Sequence, residues 1–175
     1  MQHLRLSRSN HHAYLQGACL ALSLVIASAW IATESRADSG PFAGLAGNWS
    51  GAGNITLGNG SKERIRCRAK YSVGADGNQL SQSLKCASDS YNFDLSSNVV
   101  AAAGQLSGMW NESSRGMSGA IFGTARPGQF QVVVTSPSFS ANLSLTTSGD
   151  RQTVTISAPP GGQLTGVNIT LSRGR

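Results

Sequence analysis

From residue 47 onward the chain alternates apolar and polar positions, and apolar residues almost nowhere recur at helical spacing. The clearest stretch is Lys62–Val73. Ile65, Cys67, Ala69, Tyr71 and Val73 share one parity, and Lys62, Arg64, Arg66, Arg68 and Lys70 share the other. Successive strand residues point to opposite faces, so this is a half-buried β-strand with a cationic outer face. Gln79–Ala87 repeats the pattern with Leu80, Leu84 and Cys86. Between the two, Asp76-Gly77 is a favoured dipeptide for a two-residue type I′ hairpin. Centred there, the register opposes Val73 to Leu80, Tyr71 to Gln82, Ala69 to Leu84 and Cys67 to Cys86. Directly opposed residues lie about 4.5–5.5 Å apart, within disulfide reach. Turn chemistry, core parity and cysteine position therefore agree on a Cys67–Cys86 bridge.

Upstream, Gly47–Leu57 carries Trp49, Ile55 and Leu57 on one face. A two-residue turn at Asn59-Gly60 would oppose Ile55 to Arg64 and mismatch the faces. An odd loop is needed, which predicts a three-residue turn Gly58-Asn59-Gly60 with Gly60 left-handed. Further strands are expected from Tyr91, over Gln105–Asn111, Met117–Ala125, Phe130–Thr135, Phe139–Thr146, Gln152–Ser157 and Leu164–Leu171, with RPGQ, SGDR and PPGG as turns. The expected fold is all-β: an antiparallel up-and-down barrel of about eight to ten strands, since closure removes vulnerable edges.

Composition is informative mainly through its distribution along the chain. Charged residues are 13% of the 175, glycines number 21, and the formal net charge is +6. Arg5 and Arg8 precede an apolar run from Gly17 to Ala32, and Ser35 and Ala37 place small residues before Asp38. A basic leader, a short apolar core and a small-x-small exit predict a secretory signal peptide over residues 1–37, cleaved near Ala37. The run is short for a membrane span, which needs about 18 residues or more. The single domain is then 38–175, in the periplasm or secreted. Loss of the leader removes three arginines and one glutamate, so net charge falls from +6 to +4. It also removes His3, His11, His12 and Cys19, leaving Cys67 and Cys86 as a pair in an exported chain, where disulfides persist.

Without histidine, Ser-His and Cys-His nucleophile pairs are excluded from the exported chain. No Walker loop, dinucleotide fingerprint or H-E-x-x-H motif is present. The expectation is a non-enzyme with no cofactor and no metal.

Gly47-Asn48-Trp49 opens the first strand and Arg173 closes the last. This resembles lipocalins and other calycins, which carry a G-x-W motif on the first strand and an arginine packed on its tryptophan. The chain is similar to a small exported bacterial barrel of that lipocalin-like kind. The T-D-Y turn motif of kernel lipocalins is absent, which leaves an outlying calycin or an unrelated meander barrel. The resemblance implies a cup whose closed end is held structurally by Trp49 and Arg173, with the ligand entering at the opposite mouth.

Three binding roles follow. The barrel interior, with Tyr71, Gln82, Glu63, Tyr91 and Trp110, is a candidate pocket for a small apolar ligand. The alternative there is a filled core in which Tyr71 and Gln82 hydrogen-bond each other. The ladder Lys62, Arg64, Arg66, Arg68 and Lys70 is a candidate face for an anionic cell-envelope component, or simply a solvated outer face. It carries no stacking aromatics, so no nucleic acid is expected. A protein-binding module, such as an inhibitor of an exported hydrolase acting through its loops with Arg115 and Arg126, or a structural envelope protein, is the third. No membrane span is expected, because a spanning barrel needs an apolar outer face, and a monomer is expected. Interior volume decides between the first two roles: an open cavity above about 300 Å³ favours a small ligand, and a packed core favours surface binding.

Overall fold

A computed structural model describes residues 39–174. The expected leader and its cleavage site lie outside the described residues. Ten strands follow one another: β1 (Gly47–Leu57), β2 (Lys62–Val73), β3 (Gln79–Ala87), β4 (Asn92–Ala102), β5 (Gln105–Glu112), β6 (Met117–Arg126), β7 (Gln129–Thr135), β8 (Ser140–Ser148), β9 (Arg151–Ser157) and β10 (Leu164–Arg173). Each pairs antiparallel with its chain neighbours, and β1 closes the barrel on β10. The all-β, up-and-down expectation is met, at the upper end of the expected strand count.

The registers at the start of the barrel are those the alternation demands. Cys67 faces Cys86, Tyr71 faces Gln82 and Val73 faces Leu80. The Cys67–Cys86 disulfide is present, with Cα atoms 4.1 Å apart. The β1–β2 connection is the three-residue turn, with Gly60 at φ 84° and the Leu57 amide bonded to the Ser61 carbonyl. Gly51 then lies opposite Cys67. A side chain at Gly51 or Gly53 would collide with the carbonyls of Thr170 and Asn168, so β1 coils tightly against β10 only because it carries glycine there.

Two local expectations are corrected, the type of the β2–β3 turn and the start of β8. The β2–β3 turn keeps its register but is not type I′. A four-residue loop 75–78 bends at Gly74–Gly77, and only Gly77 is left-handed, at φ 71°. The wider loop leaves the Asp76 and Gly77 carbonyls free to accept from the Gly40 and Phe42 amides. The type I′ geometry falls instead between β4 and β5, at Ala103 (φ 49°) and Gly104 (φ 76°). Phe122 points outward and is exposed, since Ile121 takes the inward position. Phe139 precedes β8 rather than opening it.

Outward positions are mostly Ser, Thr, Asn, Gln and charged residues, the reverse of the apolar belt a spanning barrel shows to lipid. The described residues contain no helix long and apolar enough to cross a membrane.

Replacing both bridge cysteines (Cys67→Ser with Cys86→Ser) is expected to destabilise the barrel by about 1–2 kcal/mol. The bridge closes a loop between residues 19 apart, worth about 3 kcal/mol by chain entropy, but the hairpin register already brings the two positions together. Urea unfolding should show the loss as a lower midpoint. A loss above about 4 kcal/mol would mean that the bridge sets the register rather than following it.

Candidate functional site

The two ends of the barrel differ. At the end where β1 begins and β10 finishes, residues 40–46 cross the opening. Phe42 and Leu45 are buried there, and Phe42 stacks on Phe130 with ring centres 5.4 Å apart. Trp49, on β1, is buried behind them. Its indole N–H donates to the Leu45 carbonyl at 2.9 Å, and Tyr71 meets it edge-on. Arg173 lies over its ring, 4.4 Å from the centroid. The Arg173 guanidinium donates to Asp150 at 3.0 Å and to the Ala46 and Gly44 carbonyls. One arginine thus ties the last strand, the β8–β9 turn and the crossing segment together. Nearby, the Tyr71 hydroxyl donates to Gln152 Oε1 at 2.8 Å. Gln152 is fully buried, and burial pushes the Tyr71 phenol pKa well above its ordinary value, with the hydrogen bond opposing it.

Above this floor the interior is hollow. A cavity of about 910 Å³ runs to the opposite end, its walls built by inward residues including Leu84, Leu95, Val132, Leu145, Val154 and Ile156. These side chains are only half-buried although they point inward; the surface they expose faces the cavity. Buried inward residues lie at the floor, such as Ala69, Leu106 and Leu171, and along the β1–β2–β10 side towards the mouth, where Ile55, Ile65 and Val167 are buried. The filled-core alternative is therefore corrected: side chains pack at the closed end and along the β1–β2–β10 side, and the rest of the interior stays open. Tyr71 and Gln82 are register partners but do not bond each other. Tyr71 reaches across to Gln152, and Gln82 accepts from Ser97 Oγ at 3.2 Å.

The mouth is framed by Tyr91, Phe93, Arg115, Met117, Phe139 and the 158–163 loop. Arg115 is set over the Tyr91 ring, 3.9 Å from its centroid, and donates to the Asn92 carbonyl at 2.6 Å. Its loop is held by Glu112, a buried carboxylate on the inward face of β5. Glu112 accepts from the backbone amides of Asp94 (3.0 Å), Ser114 (3.0 Å) and Arg115 (2.8 Å). Desolvation opposes its ionisation, but these donors together outweigh it and hold its pKa below the ordinary value. Tyr91 moves the other way: burial raises its phenol pKa, opposed by the Arg115 charge.

Of the five interior residues singled out from sequence, four line the cavity: Tyr71 at the floor, Gln82 and Trp110 in the wall, and Tyr91 at the rim. Trp110 donates its indole N–H to the Thr135 carbonyl at 3.1 Å and packs against Phe139. Glu63 is a correction. It shares the inward parity, but Ser90 and Ser88 draw its carboxylate aside to the β3–β4 connection, and it does not line the cavity. Those hydroxyls, with the Ser90 amide, hold its pKa below the ordinary value. Lys62, Arg64, Arg66, Arg68 and Lys70 are all exposed on the outside of β2.

Phe42, Leu45 and Glu112 were not singled out from sequence. For Glu112 a signal existed, since it lies two residues past Trp110 and so shares its inward parity. For Phe42 and Leu45 the signal was slight: two apolar residues three apart, just before the first strand.

Comparison with known proteins gives a likeness of fold. No family model matches the chain, and no curated protein is significantly similar to it. Among solved structures, Rv2717c from M. tuberculosis is similar at 14% identity and a TM-score of 0.61, over 76% of this chain and 94% of that one. The S-type phycobiliprotein lyase CPES from Guillardia theta is similar at 11% identity and a TM-score of 0.56, over 77% of this chain and 90% of that one. At such identities what is shared is architecture, a closed lipocalin-like β-barrel.

Proposed function

We propose that this protein is a non-catalytic carrier of a small, largely apolar ligand, exported from the cell and loaded through the mouth of its barrel. The observation that carries the reading is the cavity: about 910 Å³, open at one end and walled mostly by Leu, Val, Ile and aromatic side chains. Ligand sites typically occupy about 300–1,000 Å³ with a few placed polar groups. Here those groups are the Gln82–Ser97 pair in the wall and Arg115 at the rim, whose planar guanidinium has donors beyond the one used on Asn92. A ligand with an apolar body and one polar end matches that distribution. The inward titratable groups argue for binding rather than turnover. Glu112 is engaged by three amides and Tyr71 by Gln152, so neither is poised to exchange a proton with a guest. The Trp49–Arg173 closure is the calycin feature the resemblance called for, and it supports a distant calycin relationship. The disulfide supports export.

Native mass spectrometry of the purified protein and titration with the uncharged dye N-phenyl-1-naphthylamine test the reading. The expected result is one dye per barrel. Leu95→Trp with Leu145→Trp, from β4 and β8, fills the cavity and should weaken dye binding at least tenfold. A wild-type barrel that neither carries nor takes up an apolar molecule, or a double variant that binds dye as well as wild type, contradicts it.

A further inference from the structure

The outer face of β2 points to a second site, independent of the cavity. Lys62, Arg64, Arg66, Arg68 and Lys70 stand at alternate positions and are all exposed. Alternate strand residues are about 6.6–6.8 Å apart, so the five cations form a row about 27 Å long. Among the described residues none of the five has a carboxylate within ion-pair distance; the ion pairs are Lys85–Asp94, Arg115–Glu112 and Arg173–Asp150. Glu63, on the same strand, points to the other side and is held by serines. The charge of the row is therefore uncompensated, which attracts anions.

The flanks narrow the choice of anion. Opposite the row on β1 stand Asn48, Ser50, Ala52, Asn54 and Thr56, and on β3 Ser83, Lys85 and Ala87. Apart from Lys85, which adds a sixth cation, they are short and mostly hydrogen-bonding, with no aromatic among them. At the closed-barrel end the row sinks into a shallow depression of about 510 Å³, lined by Arg68, Lys70 and Lys85 with Asn48, Ser50 and Ser83, and bordered by Trp49, which is 1% exposed and so presents no ring face there. Single-stranded nucleic acid is gripped by aromatics that stack its bases, and this face offers none. A flat anionic membrane is also a poor match. Barrel strands tilt by about 35–45°, so the row winds around a convex wall and a plane meets only part of it. A flexible linear polymer can follow the winding, placing its charges on the cations and its hydroxyls on the flanking Ser, Thr and Asn.

We infer that the outer face of β2 binds a linear acidic polysaccharide, carboxylated or sulfated, along the strand. Short polygalacturonate fragments are the probe, with oligothymidylate and phosphatidylglycerol vesicles as the competing polyanions. The expected result is binding to polygalacturonate that weakens steeply as salt rises. The triple variant Arg64→Gln, Arg66→Gln, Arg68→Gln should lose at least tenfold in affinity while its dye uptake into the cavity stays as in wild type, which shows that the barrel is intact. No polygalacturonate binding at low salt, binding unchanged in the triple variant, or tighter binding of oligothymidylate or vesicles than of polygalacturonate overturns the inference. The cavity reading survives any of these outcomes, because its test uses a different face.

Discussion

Trp49→Ala is expected to destabilise the barrel by about 3–5 kcal/mol, the range for deleting a large buried aromatic, more than any other single change considered. Trp49 is 1% exposed and is held from three directions: by the Leu45 carbonyl on its N–H, by Tyr71 at its edge and by Arg173 over its face. Truncation leaves a void at the floor and removes the platform under Arg173. That arginine also holds Asp150 and the carbonyls of Gly44 and Ala46, so the segment carrying Phe42 and Leu45 should loosen as well. The floor would then leak, and a dye-binding cup would come closer to an open tube. Urea unfolding measures the first effect and dye titration the second. Trp49→Phe keeps part of the ring and should cost less than the alanine variant. Arg173→Lys keeps the charge but loses the planar stack and the fork that serves two carbonyls, and should cost about 1–2 kcal/mol. A loss below about 1 kcal/mol in Trp49→Ala would mean that the floor is held by the crossing segment alone.

What was legible in the sequence was set by neighbours in the chain. The β1–β2–β3 registers, the odd loop at Gly58–Gly60 and the disulfide all follow from parity plus turn chemistry, which are local. The type of the β2–β3 turn was not legible, because it is chosen by Gly40 and Phe42, which take the Asp76 and Gly77 carbonyls from more than thirty residues upstream. Tyr71 was placed inward correctly, but its partner Gln152 is 81 residues away and no alternation could nominate it over Gln82. The facing of β6 was not legible for another reason: Ile121-Phe122 offers two apolar residues of opposite parity, and only the pairing with β5 and β7 settles which one faces in. Hollowness was the least legible property of all. Leu84 and Leu95 look as core-like as Ile65 in an alternation pattern. Whether a barrel's interior fills depends on strand number and tilt, and no residue encodes those.

Glu112→Gln is expected to cost about 2–3 kcal/mol at neutral pH and progressively less in acid. The substitution keeps the shape but replaces one of the two accepting oxygens by an amide N–H₂, and leaves at least one part-buried backbone amide facing a donor instead of an acceptor. The carboxylate's pKa is lower in the folded barrel than its ordinary value of 4.5. A group shifted in that direction contributes stability that is complete above the unfolded value and is lost as pH falls through the folded one. Wild type should therefore converge on the variant as Glu112 protonates. Glu63 is shifted the same way, so both proteins weaken in acid. Its contribution is common to the two and cancels in their difference, which isolates Glu112. The measurement is the difference in unfolding free energy at neutral pH and at several pH values below 4.5. A difference that stays constant with pH would mean that Glu112 acts through packing and not through its charge. The consequence reaches the mouth, because the loop that Glu112 caps carries Arg115 to its place over Tyr91. Dye release should therefore quicken in Glu112→Gln even where the barrel remains folded, since the rim is loosened before the walls are.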